Sequence, residues 1–406
     1  MTRGRDLPRG TTGRHERVVV VGASVAGVTA VETLRRHGFD GSISLVGDEQ
    51  NAPYDRPPLS KQILTGTWDP ERLTLRDDLE RLRVDMRLGT RAVALDLTER
   101  TVELDDRERL PYDGLVIATG VIPRRLASGH DLVGVHVLRT IDDALALRGH
   151  LRPGQRLVVI GAGFLGCEAA ASAQRAGLHV SVVDPLPVPM LRQLGDEVGR
   201  HVATLHRDRG VDMRCGEAVH RLLGDHGVTG VELASGEVLP ADVVLVAIGS
   251  TPATDWLTDS GLDLDDGVVC DATCRAAPGI YAAGDVARWW HNTLGRHIRI
   301  EHRMNASEQA VAAATNLLGA ETPFTPVPYF WTDQYDARIQ AYGTFPSAGR
   351  VAIVRGDPEE GRFIAHCTDN DRITGVLAWN MPKELRAERA LIDESPLPAG
   401  LGSVVK

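Results

Sequence analysis

Lysine is nearly missing from this chain. Of its 45 basic residues only three are lysines, Lys61, Lys383 and Lys406, so arginine is the default cation and Lys61, inside YDRPPLSKQILTG, asks for a local reason. Cysteine is scarce too. Cys167, Cys215, Cys270, Cys274 and Cys367 are odd in number and scattered, which excludes a disulfide framework and suits a reducing cytoplasm. Only Cys270 and Cys274 lie close together, and their Cys-x-x-x-Cys spacing in VVCDATCRAAPG reads as small residues near a strand and turn rather than half a zinc site. Long apolar runs are absent: 18–21 and 243–248 fall far short of the about 20 residues a membrane helix needs. No membrane crossing is expected. A formal net charge of −10 excludes a general nucleic-acid binder. The opening MTRGRDLPRGTTGRHER is basic and Gly-rich without a following apolar stretch, so 1–16 reads as a disordered leader rather than a secretory signal.

What remains is a 406-residue chain of 43% apolar composition, long enough for two or three domains, and it contains an internal repeat. RVVVVGASVAGVTAVETLRRHG opens as an apolar strand, turns through Gly22, Ser24 and Gly27 with Val25 and Ala26 at the helix start, and continues as a helix. SISLVGDE follows as a strand ending in Asp48 and Glu49, and later LVIATG ends at Ala118, Thr119 and Gly120. The pattern recurs. RLVVIGAGFLGCEAAASAQRAG turns through Gly161, Gly163, Phe164, Leu165 and Gly166; HVSVVD ends at Asp184, and DVVLVAIG at Gly249. In each copy glycines let a pyrophosphate approach the amides of a helix N-terminus, and an acid about 20 residues on accepts from a ribose hydroxyl. These are two Rossmann-like dinucleotide-binding units. The second has all three glycines, and no arginine or lysine follows Asp184 before Arg192, which favours NADH over NADPH. The first has Ser24 in place of the second glycine.

Taken with YDRPPLSK, IYAAGDVA, EHRMNASEQA and PYFWTDQYDARIQAYG, in that order, these motifs make the chain resemble the FAD-dependent, NADH-using ferredoxin reductases of bacterial oxygenase systems, relatives of putidaredoxin and rubredoxin reductases. The resemblance covers about residues 17–406. It implies an α/β fold in a glutathione-reductase-like arrangement: an FAD-binding domain at 17–121 and 251–321, an NAD-binding domain at 122–250, and a small α+β C-terminal domain at 322–406. It further implies that Gly284 and Asp285 meet the flavin's ribityl or pyrophosphate region and that Arg56 makes a phosphate or adenine contact. A helix over 305–318 would aim its N-terminus at the flavin, Trp331 would lie near the ring system, and Lys61 would reach flavin N5 and pair with Glu168. Lysine suits that place because a compact ammonium fits between N5 and a carboxylate where a forked guanidinium does not. The chain departs from the family pattern at Arg303, where a tryptophan is usual, and at Ala310, where a glycine is usual. From the residues themselves, 322 onward alternates at period two, with a turn at 369–371 and a helix near 382–393.

The function implied is hydride transfer from NADH to FAD, then single-electron delivery to an acidic 2Fe-2S ferredoxin that supplies a haem-thiolate monooxygenase or other oxygenase. Catalytic roles fall to Lys61 and Glu168. A monomer or weak homodimer is expected, with no metal, nucleic acid or membrane partner. Alternatives are a flavoprotein NADH oxidase, a rubredoxin reductase, or an NADH-sensing binding protein related to apoptosis-inducing factor. Relatives that route electrons through cysteine place one early in the chain, and none precedes Cys167. Arg288, Arg296, Arg299 and Arg303 form a basic run on which a partner could dock.

Overall fold

Four of the five residues of the strand Arg17–Val21 are buried, because parallel neighbours flank it on both edges, Ser42–Gly47 on one side and Gly114–Ile117 on the other. A strand enclosed in this way reads as an unbroken Val run rather than an alternating one. The computed structural model describes residues 15–76, 78–346 and 348–392. In it the first sheet has six strands, in the order Arg275–Ala277, Ile280–Ala282, Gly114–Ile117, Arg17–Val21, Ser42–Gly47, Asp85–Leu88. Two of these arrive from far along the chain. The leader expected over 1–16 lies outside the described residues apart from His15 and Glu16, which bond to Asp113.

The second sheet repeats the plan. Its five parallel strands run Asp212–Cys215, His179–Asp184, Arg156–Ile160, Val243–Val246, Val135–His136. The helices are α1 (Val25–Arg36), α2 (Ile141–His150), α3 (Phe164–Arg175), α4 (Leu191–Arg207), α5 (Arg303–Leu317) and α6 (Pro382–Glu388). α1 and α3 each leave the central strand of their sheet through a glycine turn, and α1 packs against α5. α5 begins two residues ahead of the expected start and stops one short of the expected end. No helix among the described residues is long and apolar enough to cross a membrane. All five cysteines are free thiols, with Cys270 and Cys274 buried.

The third sheet is antiparallel throughout, ordered Tyr329–Gln334, Ala337–Gly343, Arg372–Trp379, Arg362–Asp369, Arg350–Asp357. Its expected turn is present: Asn370 and Asp371 both have positive φ, 48° and 61°, the pairing that matches the twist of a tight hairpin. α6 and the single turn Arg389–Leu391 follow; the expected helix end at Asp393 lies outside the described residues. The fold class is thus the expected one, α/β with two Rossmann-like units and a small α+β module behind them. That module shares its core with the second unit: Phe330, Ile339, Phe363 and Trp379 join Leu157, Cys167, Val202 and Leu245 in one buried cluster. Leu59 and Ile63, from the lysine-bearing segment, belong to the same cluster.

Candidate active site

Two cavities meet at Ser24, Arg56 and Ala118. The larger, about 270 Å³, reaches from the first glycine turn past Lys61, Glu168 and Asp285 to Phe330 and Trp331. The smaller, about 40 Å³, runs on past Gly22 and Thr119 to Asp48 and Glu49. Together they make an elongated cleft at the carboxyl ends of the first sheet's strands, where open α/β sheets take ligands. Phe164 and Leu165, from the second glycine turn, line the larger cavity as well, so both glycine turns face one space.

Lys61 enters this space from a π-type turn. Ile63 N–H donates to Pro58 C=O and Thr67 N–H to Gln62 C=O, at 3.1 and 3.0 Å, each five residues back, a geometry that recurs at functional sites. Neighbouring residues on an α-helix point about 100° apart. Here Ser60 Oγ and Lys61 Nζ instead converge on one oxygen, Glu168 Oε2, at 2.6 and 2.7 Å. Thr332 Oγ1 donates to the other oxygen, Oε1, at 2.7 Å. Glu168 is 8% exposed. A carboxylate so buried is tolerated when a counter-charge and hydrogen-bond donors meet it, and both oxygens are met.

The glycines separate into two kinds. A Cβ on Gly22 would stand 2.1 Å from Ala118 O, on Gly161 2.2 Å from Ala247 O, and on Gly27 and Gly166 1.8 and 1.9 Å from the carbonyl of the turn's first glycine. Protein packing alone explains these four. Gly163 differs: nothing among the described residues lies within 4 Å of an added Cβ, and its φ of −77° suits any residue. The space is open directly before the N-terminus of α3, whose first amides have no helical partner, as a pyrophosphate requires. In the first unit Ser24 holds the corresponding place and makes no side-chain cap to α1.

The acids are more engaged than their positions in the chain suggest. Asp184 accepts from Ala162 N–H at 2.7 Å and Leu186 N–H at 2.8 Å, so it ties the glycine turn to its own strand end while keeping lone pairs free. Glu49 accepts from Tyr54 Oη at 2.5 Å and Arg56 at 2.6 Å, whereas Asp48 is exposed. Arg56 also donates to Arg139 C=O at 2.6 Å, while its buried Nε has no partner among the described residues. Asp285 is paired with Arg139 at 3.0 Å. Gly120 and Gly284 line the larger cavity, and Gly249, three residues past the strand Val243–Val246, has φ +92° with nothing among the described residues within 4 Å of an added Cβ.

Several residues of the site had no sequence signal of their own. Asp55 pairs with Arg303 at 2.8 Å, across 248 positions of chain. His302, first residue before α5, has an unpartnered Nδ1, and burial pushes its pKa down to about 4. Its ring stands 5.0 Å from Phe330, which stands 5.3 Å from Phe164. Thr332 did leave a trace: the strand Tyr329–Gln334 buries alternate residues, Phe330, Thr332 and Gln334, so two polar side chains lie on the buried face. Of the four arginines in the basic run, three are neutralised, Arg288 by Asp265, Arg299 by Asp266 and Glu301, and Arg303 by Asp55.

Residues 16–313 match the family model described as pyridine nucleotide-disulphide oxidoreductase, and 329–399 match the one described as reductase C-terminal. The chain is 39% identical over 388 residues to the anthranilate 1,2-dioxygenase system ferredoxin–NAD(+) reductase component of Burkholderia cepacia, covering 94% of this chain and 95% of that one. It is 38% identical to rhodocoxin reductase of Rhodococcus erythropolis, covering 94% and 90%. Among solved structures, the covalent putidaredoxin reductase–putidaredoxin complex superposes with a TM-score of 0.88 at 35% identity, covering 92% of each chain.

Proposed function

The chain belongs to the pyridine nucleotide-disulphide oxidoreductase family as a ferredoxin–NAD(+) reductase working with FAD and NADH, and from that premise we propose how its residues divide the task. Residues 17–121 and 251–321 form the FAD domain, 122–250 the NAD domain, and 322–406 a C-terminal domain whose Phe330 and Trp331 line the flavin end of the cleft. Gly22, Ser24, Val25, Ala26 and Gly27 present α1 to the FAD pyrophosphate, with Asp48 at the ribose and Arg56 bracing Glu49. Ala118, Thr119, Gly120, Gly284 and Asp285 line the middle of that ligand, and Arg139 orients the Asp285 carboxylate. Gly161, Gly163, Phe164, Leu165 and Gly166 present α3 to NADH, with Asp184 at its ribose and Gly249 opposite.

Bound FAD supplies the redox chemistry, accepting a hydride and releasing electrons singly. The protein supplies placement. Lys61, fixed by Glu168, would present a single ammonium to the bound ring system; Trp331 and Phe330 would exclude water there; and the α5 N-terminus would offer it partial positive charge. The observation that carries this reading is the Lys61–Glu168 contact in a cavity lined by both glycine turns. A cysteine route is disfavoured by burial. Cys167 is wholly enclosed, burial pushes its thiol pKa up, and its Sγ faces Ala162 C=O, surroundings that disfavour a thiolate nucleophile.

We place the enzyme in the cytoplasm as a monomer or weak homodimer, upstream of an acidic 2Fe-2S ferredoxin and a haem-thiolate monooxygenase or other oxygenase. The test is NADH-dependent cytochrome c reduction that requires added 2Fe-2S ferredoxin. Rapid turnover is expected with ferredoxin and little without it. Negligible turnover with FAD bound would favour the NADH-sensing binding protein instead. Supplying haem-thiolate and Rieske-type oxygenases in turn then identifies the acceptor class.

A further inference from the structure

Glu168 ends a chain of hydrogen bonds that begins in the core of the second unit, and the direction of that chain is determined. An ionised carboxylate only accepts, so Thr332 Oγ1–H points at Glu168 Oε1, 2.7 Å away. With that hydrogen spent, Thr332 Oγ1 meets Gln334 as an acceptor, which puts Gln334 Nε2 on that side at 3.2 Å and leaves Gln334 Oε1 facing His206 Nε2 at 2.9 Å. His206 therefore carries its hydrogen on Nε2, and its Nδ1 is a bare lone pair without a partner among the described residues. Burial, which pushes the His206 pKa down to about 4, keeps the ring in the neutral form this arrangement requires. His206, Gln334 and Thr332 are wholly enclosed. Along this path each bond is donated toward the one carboxylate, which also accepts from Ser60 and Lys61 on Oε2; the Gln334 amide nitrogen additionally meets Met190 Sδ at 4.0 Å.

We infer that His206, Gln334 and Thr332 form a one-way chain that positions Glu168, and through it Lys61, for hydride transfer. Thr332 is thus a positioning residue contributed by the C-terminal module. The inference rests on the proposed role of the Lys61–Glu168 pair. Its physical basis is that hydrogen bonds aligned in sequence polarise one another in a low-dielectric interior, and that a carboxylate held at both oxygens cannot rotate. The strand Tyr329–Gln334 supplies Trp331 to the cavity and Thr332 to the carboxylate behind it. Correct docking of that strand is then a condition for an ordered Lys61.

The test compares Thr332→Val, which keeps shape and loses the donor, with Thr332→Ser, which keeps the donor, in the FAD-loaded enzyme. Thr332→Val is expected to slow the limiting rate of flavin reduction by NADH about tenfold, as loss of one charge-assisted bond would. NADH affinity should stay within about twofold, and the flavin midpoint potential should shift as the ammonium loses its place. Thr332→Ser should restore both. Wild-type rate and potential in Thr332→Val, or equal loss in Val and Ser, would overturn the chain. If Thr332→Val does not fold, His206→Phe cuts the far end: a smaller loss with a shifted potential supports the inference, and an unchanged potential rejects it. Lys61→Met separates the two readings. If it leaves flavin reduction unchanged, the pair itself has no such role; if it slows reduction while Thr332→Val does not, only the chain falls.

Discussion

Lys61 Nζ lies 2.7 Å from Glu168 Oε2 although 107 residues separate them. Neither partner is more than 16% exposed at its side chain, so the pair is held away from the screening that makes surface ion pairs nearly worthless. Removing one member of such a pair leaves the other's charge uncompensated. Lys61→Met is therefore expected to retain FAD and to slow flavin reduction by NADH at least about tenfold, a loss of transition-state placement rather than of binding. Lys61→Arg should not restore the rate, since Ser60 already occupies part of the same oxygen and a planar fork demands more room. Stopped-flow flavin absorbance measures both.

Gly163 and Gly166 should answer differently to the same substitution. Gly166→Ala places a methyl 1.9 Å from Gly161 O, an overpacking that costs about 1–3 kcal/mol or more, and its Tm should fall. Gly163→Ala enters open space, so Tm should hold while NADH KM rises about tenfold as the methyl obstructs the pyrophosphate. Thermal melts and steady-state kinetics on the two variants separate a packing glycine from a ligand glycine.

Arg299 and Arg296 share one basic run but not one role. Arg299 is 13% exposed at its side chain and bonded to Asp266, Glu301 and the carbonyl of Asp285. Arg299→Glu sets three acids together, and stability should drop by on the order of 3 kcal/mol. Arg296 is exposed. With Arg288, Arg299 and Arg303 already neutralised, Arg296→Glu should raise ferredoxin KM by less than about threefold and leave Tm and NADH KM alone. A larger rise would show that electrostatic docking centres on this run.

Acid should unfold the protein in part through two histidines. Burial lowers the pKa of His206 and of His302 to about 4 each, against about 6.5 in the unfolded chain. A depressed folded pKa means the unfolded state binds the proton first. The contribution is therefore complete above about pH 6.5 and is lost as pH falls toward 4, amounting to on the order of 3 kcal/mol for each ring. Arg209 near His206 adds to the effect, and Glu301 near His302 opposes it. Denaturant midpoints at several pH values should show the loss, and His206→Phe should reduce it by about one ring's share.

Much of this molecule was legible in one dimension because its strongest signals are local. The Val run Arg17–Val21, the glycine turn after it and their recurrence at Arg156–Ile160 follow from steric and hydrogen-bonding rules that act within a few residues. The alternation in Tyr329–Gln334 and the tight turn at 370–371 were readable for the same reason. The lysine in PPLSK and its glutamate partner came through resemblance, since nothing in residues 54–66 points toward residue 168.

The sequence by itself settled the class of fold, the two glycine turns, the scarcity that singles out Lys61, and the absence of any cysteine ahead of Cys167. The tertiary structure alone decided which charges are free and which are spent. Asp184 braces its own turn, Glu49 is held by Tyr54 and Arg56, and three of four arginines in the basic run are already paired. It also decided that Thr332 of the C-terminal sheet, not a residue of either nucleotide-binding unit, supplies the donor that faces Glu168 Oε1. The physical reason is distance along the chain. A hydrogen bond acts over about 3 Å in space, and only folding brings positions 60, 168, 206 and 332 within that reach.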